Sequence, residues 1–334
     1  MKRRIPTGKM CASLLSFETI LSVLVLLAAL FVLQYIYRGF KISGFSDRYV
    51  LVTGCDTGFG YRTAKKLDGM GFNVFAACLT KEKMEELTAA CSPRLTAVAM
   101  NVTDDSSIVE ALSVVKSHLP KGQGLWALVN NAGIVGPPGI TTWLTKADYE
   151  VTMKVNFYGL VMVTKTFLPL LRQGQGRVIN TASTVGRFAL PPCPYTMSKF
   201  CVEAFTDVLR RELRPLGVTV HTVEPGGYKT NITDYNLAMT AMEKSFNQAP
   251  EDVKQFYGHR YVEKLSKLAS VLVYLVACPR LYEVVDTYIH AICARYPKTR
   301  YVVGLNGTFF FRPLWTMPTW LSDFLMGMGY PLPG

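Results

Sequence analysis

Three absences narrow what this 334-residue chain can be. Its eight cysteines include no C-x-x-C pair and its four histidines have no ligand spacing, so we predict neither a metal site nor a redox dithiol. The 36 Lys and Arg residues exceed the 24 Asp and Glu residues, yet no basic stretch interleaved with aromatics occurs, so nucleic-acid binding is not indicated. No low-complexity linker divides the middle of the chain, which predicts a single folded domain with appendages.

One long apolar run stands near the amino end. Residues Thr19 to Tyr37 carry no charge, and the run is close to the ~20 residues that cross a bilayer core. It exceeds a signal-peptide core and no A-x-A-like cleavage site follows it, so we predict a single transmembrane helix. Basic residues flank both ends, which leaves the orientation open.

Short apolar segments alternate with longer helical patterns through the middle of the chain. The predicted strands are 48–53, 73–78, 95–100, 125–129, 177–180, 218–223 and 300–303, and the predicted helices are 61–71, 81–90, 106–117, 146–171 and 195–213. Such alternation is typical of an α/β fold whose parallel sheet is covered on both faces. After Pro225 the pattern weakens, and 230–268 is predicted to form irregular helices over a pocket.

A glycine-rich turn follows the first predicted strand. It runs GCDTGFG and leads directly into a helix, so backbone N–H groups and the helix N-terminus can face a pyrophosphate. Gly54 would permit the tight turn, Gly58 a close approach of the ligand, and Gly60 the packing of helix on strand. The residues assigned to dinucleotide binding here are Gly54, Asp56, Gly58, Phe59 and Gly60.

Tyr195 and Lys199 lie one helical turn apart and therefore share a helix face. A free tyrosine has a pKa of about 10, and positive charge from Lys199 and from an oxidised nicotinamide would bring that pKa closer to neutrality. Ser183 ends the fifth predicted strand, where its hydroxyl can hold a substrate oxygen beside the phenol. The three residues together predict a hydride-transfer site with Tyr195 as the proton carrier.

These motifs resemble those of the short-chain dehydrogenase/reductase family. T-G-x-x-x-G-x-G starts at Thr53, N-N-A-G at Asn130, Y-x-x-x-K at Tyr195 and P-G-x-x-x-T at Pro225. Within the family, TGCDTGFG, GLWALVNNAG and PKTRYVVG resemble the membrane-bound retinol and hydroxysteroid dehydrogenases. The resemblance implies a single-domain, Rossmann-like, doubly wound parallel sheet and an NAD(P)-dependent alcohol dehydrogenase.

The resemblance also implies roles for individual residues. Asn156 matches a helix asparagine that holds a water in the proton relay, and Ser183 orients the carbonyl or alcohol. Lys199 binds the nicotinamide ribose and lowers the tyrosine pKa, while Thr230 bonds the nicotinamide carboxamide. Asn101 stands where many members have an aspartate that touches the adenine, and an amide can still hydrogen-bond there. The remaining implied cofactor residues are Asn131, Ala132, Gly133, Tyr195, Pro225 and Gly226.

Cofactor and substrate follow from charge and polarity. Asp56 disfavours a nearby 2′-phosphate and no arginine follows the second strand, so NAD is favoured over NADP, a preference that Lys81 and Lys83 weaken. A lipophilic retinoid or hydroxysteroid substrate would explain a membrane anchor. The first alternative is a 3-hydroxybutyrate-type dehydrogenase, with Lys229 or Arg187 pairing with the substrate carboxylate. The second is a non-catalytic, NAD-binding membrane protein.

We divide the chain into an anchor with its flanks (1–45), a dehydrogenase domain (46–305, with a substrate cap at about 230–268) and an aromatic-rich tail (306–334). The tail is too broken to span a membrane, and it is predicted either to lie at the membrane interface or to pack on the domain. The expected partners are a lipophilic small molecule and the lipid bilayer, and the family implies a homodimer. The expected location is the endoplasmic reticulum membrane rather than mitochondria.

Overall fold

The computed structural model describes residues 17–229 and 235–327, without the side chains of 17–18, 235–239 and 272–276. The strands are β1 (Tyr49–Thr53), β2 (Asn73–Cys78), β3 (Leu95–Ala99), β4 (Ala127–Asn130), β5 (Arg177–Thr181), β6 (Thr219–Pro225) and β7 (Arg300–Val303). The helices up to β6 are α1 (Phe17–Gly39), α2 (Gly58–Gly69), α3 (Lys81–Ala89), α4 (Asp105–His118), α5 (Lys146–Met153), α6 (Leu160–Gln173) and α7 (Cys193–Leu213). Those after β6 are α8 (Tyr235–Asn247), α9 (Glu251–Val276), α10 (Tyr282–Cys293), α11 (Arg312–Thr316) and α12 (Thr319–Gly327).

The strands form one seven-stranded parallel sheet in the order β3-β2-β1-β4-β5-β6-β7. One face packs an apolar layer under α2, α3 and α10, and the other packs a second layer under α4, α6 and α7. The strand order reverses between β1 and β4, which opens a crevice at the carboxyl ends of the strands. The predicted Rossmann-like, doubly wound fold is confirmed.

The predicted single helix over 146–171 is wrong in its middle. Between α5 and α6, Lys154–Gly159 forms a wider π-helical turn. Asn156 lies in this turn, and its buried side chain makes two hydrogen bonds of 2.8 Å with the backbone N–H and C=O of Ile134. Turns of this kind are frequent at functional sites, because they redirect a side chain that a regular helix would point elsewhere.

Helix α10 was not predicted from the sequence. Its residues, YEVVDTYIHAIC, are rich in β-branched and aromatic types whose intrinsic helix propensity is low. The helix forms because Val284, Tyr288 and Ala291 bury one face against the sheet. In the region predicted as the substrate cap, α8 and α9 pack with Trp143 in a separate hydrophobic cluster. Helix α9 bends at Gly258, whose φ is 69°.

The apolar helix predicted at the amino end is present as α1. Thr19–Gly39 is long and apolar enough to cross a membrane, and no part of its apolar stretch is buried against the rest of the protein. Where α1 ends, the Tyr37 ring stacks on Tyr296 with 3.7 Å between ring centres. A short antiparallel bridge then joins Lys41 to Ala294. These contacts attach the helix at the amino-terminal edge of the sheet, where α10 ends.

His221 on β6 gives the fold a dependence on pH. Its Nδ1 lies 2.7 Å from the Lys298 carbonyl and its Nε2 lies 2.9 Å from the Thr219 hydroxyl, a pairing that suits a neutral imidazole. Burial lowers the pKa of His221 to about 4. A free histidine has a pKa of about 6.5. The neutral His221 side chain therefore contributes its full share to the free energy of unfolding above that pH, and this contribution is lost as the pH falls toward the pKa of the folded protein.

We therefore expect His221→Gln to flatten the decline in unfolding free energy as pH falls from about 6.5 to about 4. The pKa difference corresponds to at most about 3 kcal/mol. Urea unfolding in detergent across this range measures the effect, and His118→Gln, at an exposed helix end, is the control. An equally steep decline in wild type and His221→Gln would contradict the assignment.

Candidate active site

A cavity of about 600 Å³ opens at the carboxyl ends of the central strands. The predicted site residues that line it are Gly54, Asp56, Gly58, Phe59, Asn101, Asn131, Ala132, Gly133, Ser183, Tyr195, Lys199, Pro225 and Gly226. Gly60 and Asn156 lie behind this lining, and Thr230 falls outside the described residues. The fold thus gathers residues from distant parts of the chain around one space.

The glycine loop has the shape that a pyrophosphate needs. Gly54 has a φ of +68°, and a Cβ there would lie 2.8 Å from the Cα of Ala132. A Cβ on Gly60 would lie 2.2 Å from the carbonyl oxygen of Gly54, so α2 packs directly on the loop. Helix α2 starts at Gly58, and Thr57 before it provides no side-chain cap. The first N–H groups of α2 are therefore left for an anion, and the loop fits a dinucleotide phosphate.

The N-N-A-G segment ties β4 to β1. The backbone N–H groups of Asn131 and Ala132 donate to the Thr53 hydroxyl at 3.0 and 3.1 Å. The Asn131 side chain donates to the carbonyls of Thr53 and Gly54 at 2.9 and 3.1 Å. Asn131 therefore braces the glycine loop from the neighbouring strand.

Two polar residues line the cavity where β2 and β3 end. The Asp56 carboxylate accepts hydrogen bonds from the backbone N–H of Leu79 at 3.0 Å and of Thr80 at 3.1 Å. The side-chain oxygen of Asn101 accepts bonds from the Thr103 N–H at 3.0 Å and hydroxyl at 2.8 Å. A fixed negative charge thus stands at this rim, and the NH₂ group of Asn101 is the donor that an adenine contact would need.

Lys199 is held in place by the end of β5. Its side chain is only 4% exposed, and its Nζ donates to the Thr181 carbonyl at 2.8 Å. The same Nζ lies 5.7 Å from the ring centre of Tyr195. Burial lowers the pKa of Lys199 to about 8, while the attraction of Glu203, one turn further along α7, works in the opposite direction. The predicted proximity of ammonium and phenol is present.

Burial also decides the pKa of Tyr195. It raises that pKa above the ordinary value, and a hydrogen bond with the Ser183 side chain lowers it by a smaller amount. The Ser183 hydroxyl lies 3.2 Å from the Pro225 carbonyl, to which it can donate. The expected lowering of the phenol pKa by Lys199 is therefore not what the protein side chains alone produce.

Arg187 and Lys229, the two cations that could have paired with a substrate carboxylate, do not line the cavity. The Nε of Arg187 lies 3.1 Å from a carboxylate oxygen of the fully buried Glu224, and its guanidinium stands 5.5 Å from the ring centre of Trp315. Lys229 is exposed. Within the described part of the chain, Lys199 is the one cation that lines the cavity.

The sequence did not identify two aromatic residues of the site, Tyr228 and Phe311. Tyr228 lines the cavity, and its hydroxyl donates to the Glu283 carboxylate at 2.7 Å. Phe311 also lines it and is buried, although it belongs to the tail that follows β7. The aromatic richness of the tail was the only signal available for Phe311. The tail therefore contributes to the cavity wall.

The fold and the site together match a known family. The family model of the short chain dehydrogenases matches residues 48–241, which is more than half of the chain. The chain therefore belongs to the short-chain dehydrogenase family, as predicted, and it is an oxidoreductase of that family.

Its relatives lie in the predicted branch. The chain is 42% identical to retinol dehydrogenase 7 of Rattus norvegicus over 92% of its own length and 96% of the relative's. It is 39% identical to 17-beta-hydroxysteroid dehydrogenase type 6 of Homo sapiens, covering 92% and 98% of the two chains. A short-chain dehydrogenase from Streptomyces avermitilis shares the fold with a TM-score of 0.65, at 23% identity over 85% of this chain and 98% of that one.

The packing at Gly60 leads to a test of the loop. Since a Cβ at Gly60 would meet backbone at 2.2 Å, Gly60→Ala should push α2 off the loop, weaken NADH binding at least tenfold and lower stability by ~1–3 kcal/mol. Gly69 ends the same helix with nothing within 4 Å of a Cβ, so Gly69→Ala is the matched control. NADH fluorescence titration and thermal unfolding measure both effects. Equal behaviour of the two variants would argue against a packed loop.

Proposed function

We propose that this protein is an NAD-dependent, membrane-bound oxidoreductase that interconverts an alcohol and its aldehyde or ketone on a retinoid or hydroxysteroid. The observation that carries the proposal is the convergence of Ser183, Tyr195 and Lys199 on the wall that they share with the glycine loop. The printed names of the two relatives, a retinol and a 17-beta-hydroxysteroid dehydrogenase, support the substrate class.

The side chains divide the proton chemistry between them. A bound oxidised nicotinamide would supply the hydride acceptor and a positive charge that favours the phenolate. Tyr195 takes the proton of the alcohol, and Ser183 holds the same oxygen by its hydroxyl. Lys199, fixed by the Thr181 carbonyl, keeps a cation near the ring and so stabilises the phenolate. Asn156 holds the Ile134 backbone behind this group.

The charges at the adenosine end favour NAD. The Asp56 carboxylate lines the cavity and would repel a 2′-phosphate placed beside it. The two lysines that follow β2 are already paired with carboxylates, Lys83 with Glu86 at 2.7 Å and Lys81 with Glu85 at 3.7 Å. NAD is therefore the proposed cofactor within a family that uses nicotinamide dinucleotides.

The remaining lining favours an apolar substrate over a small hydroxy acid. A carboxylate would need a cation to pair with, and Arg187 is committed to Glu224 instead. Val155, Val185 and Phe311 provide apolar surface in the cavity wall. A retinoid or steroid would bury its hydrocarbon against these side chains.

The apolar surface outside the cavity supports attachment to a bilayer. Helix α1 is the proposed span, and the tail exposes large aromatic residues, with Phe309 at 74% and Trp320 at 71%. Such side chains favour the interface of a membrane. We propose an endoplasmic reticulum membrane as the location, and a homodimer remains a prediction of the family.

The central experiment is a substrate panel with the purified enzyme. Retinols and hydroxysteroids with NAD should give NADH, NADP should serve less well, and 3-hydroxybutyrate should give none. Tyr195→Phe removes only the phenol oxygen and should lower kcat at least a hundredfold, as expected for loss of an acid/base group, with NADH affinity nearly unchanged. Tyr282→Phe, on an exposed tyrosine, is the control.

Two outcomes would count against the proposal. Saturable NADH binding without turnover on any alcohol would favour a non-catalytic binding protein. Turnover of 3-hydroxybutyrate but of no lipophilic alcohol would favour the hydroxy-acid enzyme.

The tail provides a test of membrane contact. In vesicles that contain brominated lipids, tryptophan fluorescence should be quenched, and Trp320→Phe should remove a large part of that quenching. Trp143 is fully buried, so Trp143→Phe lowers total fluorescence without changing the quenched part. Unaltered quenching in Trp320→Phe would show that the tail packs away from lipid.

A further inference from the structure

A hydroxyl of α10 reaches the ends of two adjacent strands beneath the site. Tyr288 is fully buried, at 0% exposure. Its hydroxyl lies 2.7 Å from the Thr181 hydroxyl and 3.4 Å from the side-chain oxygen of Asn131. Thr181 is the last residue of β5, and Asn131 directly follows β4. A single phenol thus links the carboxyl ends of β4 and β5.

Each of these two partners holds a different part of the site. The Thr181 carbonyl accepts the hydrogen bond from Lys199 at 2.8 Å. The Asn131 NH₂ group donates to the carbonyls of Thr53 and Gly54 at 2.9 and 3.1 Å. Tyr288 therefore contacts both the residue that holds the ammonium and the residue that braces the glycine loop.

The directions of the hydrogen bonds follow from the available protons. The Thr181 hydroxyl donates to Tyr288, and the phenol proton then points to the Asn131 oxygen. A reversed Asn131 amide would bring its oxygen against the two carbonyl oxygens of Thr53 and Gly54, which repel it. The carbonyls of Thr53 and Gly54 thus set the amide orientation that braces the loop, and the phenol donates to the oxygen that this orientation presents. The 2.7 Å contact is of ordinary O–H···O length and the 3.4 Å contact is longer, so the bond with Thr181 is the stronger one.

We propose that Tyr288 is a positioning residue, which acts through Thr181 and Asn131 to hold Lys199 and the glycine loop in the geometry that binds the dinucleotide. Tyr288 itself does not line the cavity in the described part of the chain. Burial and the neighbouring Tyr195 both raise the pKa of Tyr288, so it stays a neutral donor. The inference rests on the nicotinamide cofactor of the proposed function but not on its substrate.

The experiment removes the same hydrogen bond from either side. Tyr288→Phe and Thr181→Val in the full-length enzyme should each weaken NADH binding about 3- to 10-fold, the range expected for one lost hydrogen bond. The double variant should be no weaker than Tyr288→Phe, because Tyr288→Phe already removes the contact that Thr181→Val removes, together with the longer one to Asn131. Tyr288→Phe should also raise the apparent pKa in the pH profile of kcat/KM for alcohol oxidation, since Lys199 loses its fixed position.

Tyr301→Phe is the matched control. Tyr301 is also buried, and its hydroxyl bonds the Lys298 N–H at 2.8 Å and His290 at 2.9 Å, near the opposite edge of the sheet. This variant should lose stability while binding NADH as the wild type does. Unchanged NADH affinity in Tyr288→Phe and Thr181→Val, or an equal loss in Tyr301→Phe, would overturn the proposal. If Tyr288→Phe does not fold, Thr181→Val alone decides.

NADH binding is measured without a substrate, so a substrate panel that fails entirely leaves this test intact. A wild-type enzyme without affinity for NADH would overturn both proposals.

Discussion

An ammonium group buried to 4% exposure needs an acceptor, and Lys199 finds it in the Thr181 carbonyl at 2.8 Å. The acceptor is a backbone atom, so the position of the charge is set by where β5 ends. Since Lys199 and Tyr195 share a face of α7, fixing one places the other at the cavity wall. The cost of this burial is visible in the pKa of Lys199, which falls to about 8.

A buried ion-pair network lies one turn of α7 beyond Lys199. Glu203, one turn further along α7, and Glu224 on β6 are both buried and share the guanidinium of Arg300 from β7. Burial and the neighbouring Glu224 raise the pKa of Glu203 above its ordinary value, while the ion pair with Arg300 works in the opposite direction. The ion pairs of Arg300 therefore join α7 to β6 and β7, next to the helical turn that carries Lys199.

The sequence predicted what depends on local patterns and missed what depends on distant contacts. β2 and β7 were predicted to the residue, because parallel strands are short apolar runs between turn signals. The π-helical turn was missed because Asn156 is drawn inward by Ile134, which lies 22 residues away. Tyr288 gave no signal, since its partner Thr181 is separated from it by 107 residues. The catalytic motif was visible because Tyr195 and Lys199 lie within one helical turn.

Two apolar segments, helix α1 and the tail, join the domain at opposite edges of the sheet. Helix α1 meets the amino-terminal edge of the sheet at Ala294 and Tyr296, whereas the tail starts at the carboxyl end of β7, beside the cavity. The length of α10, about 18 Å for its 12 residues, separates the two edges. For both to reach one bilayer surface, the strands must run along the membrane and not across it. Phe309 is exposed while Phe311, two residues further along, is buried in the cavity wall, so the start of the tail connects the outer surface of the domain with the site.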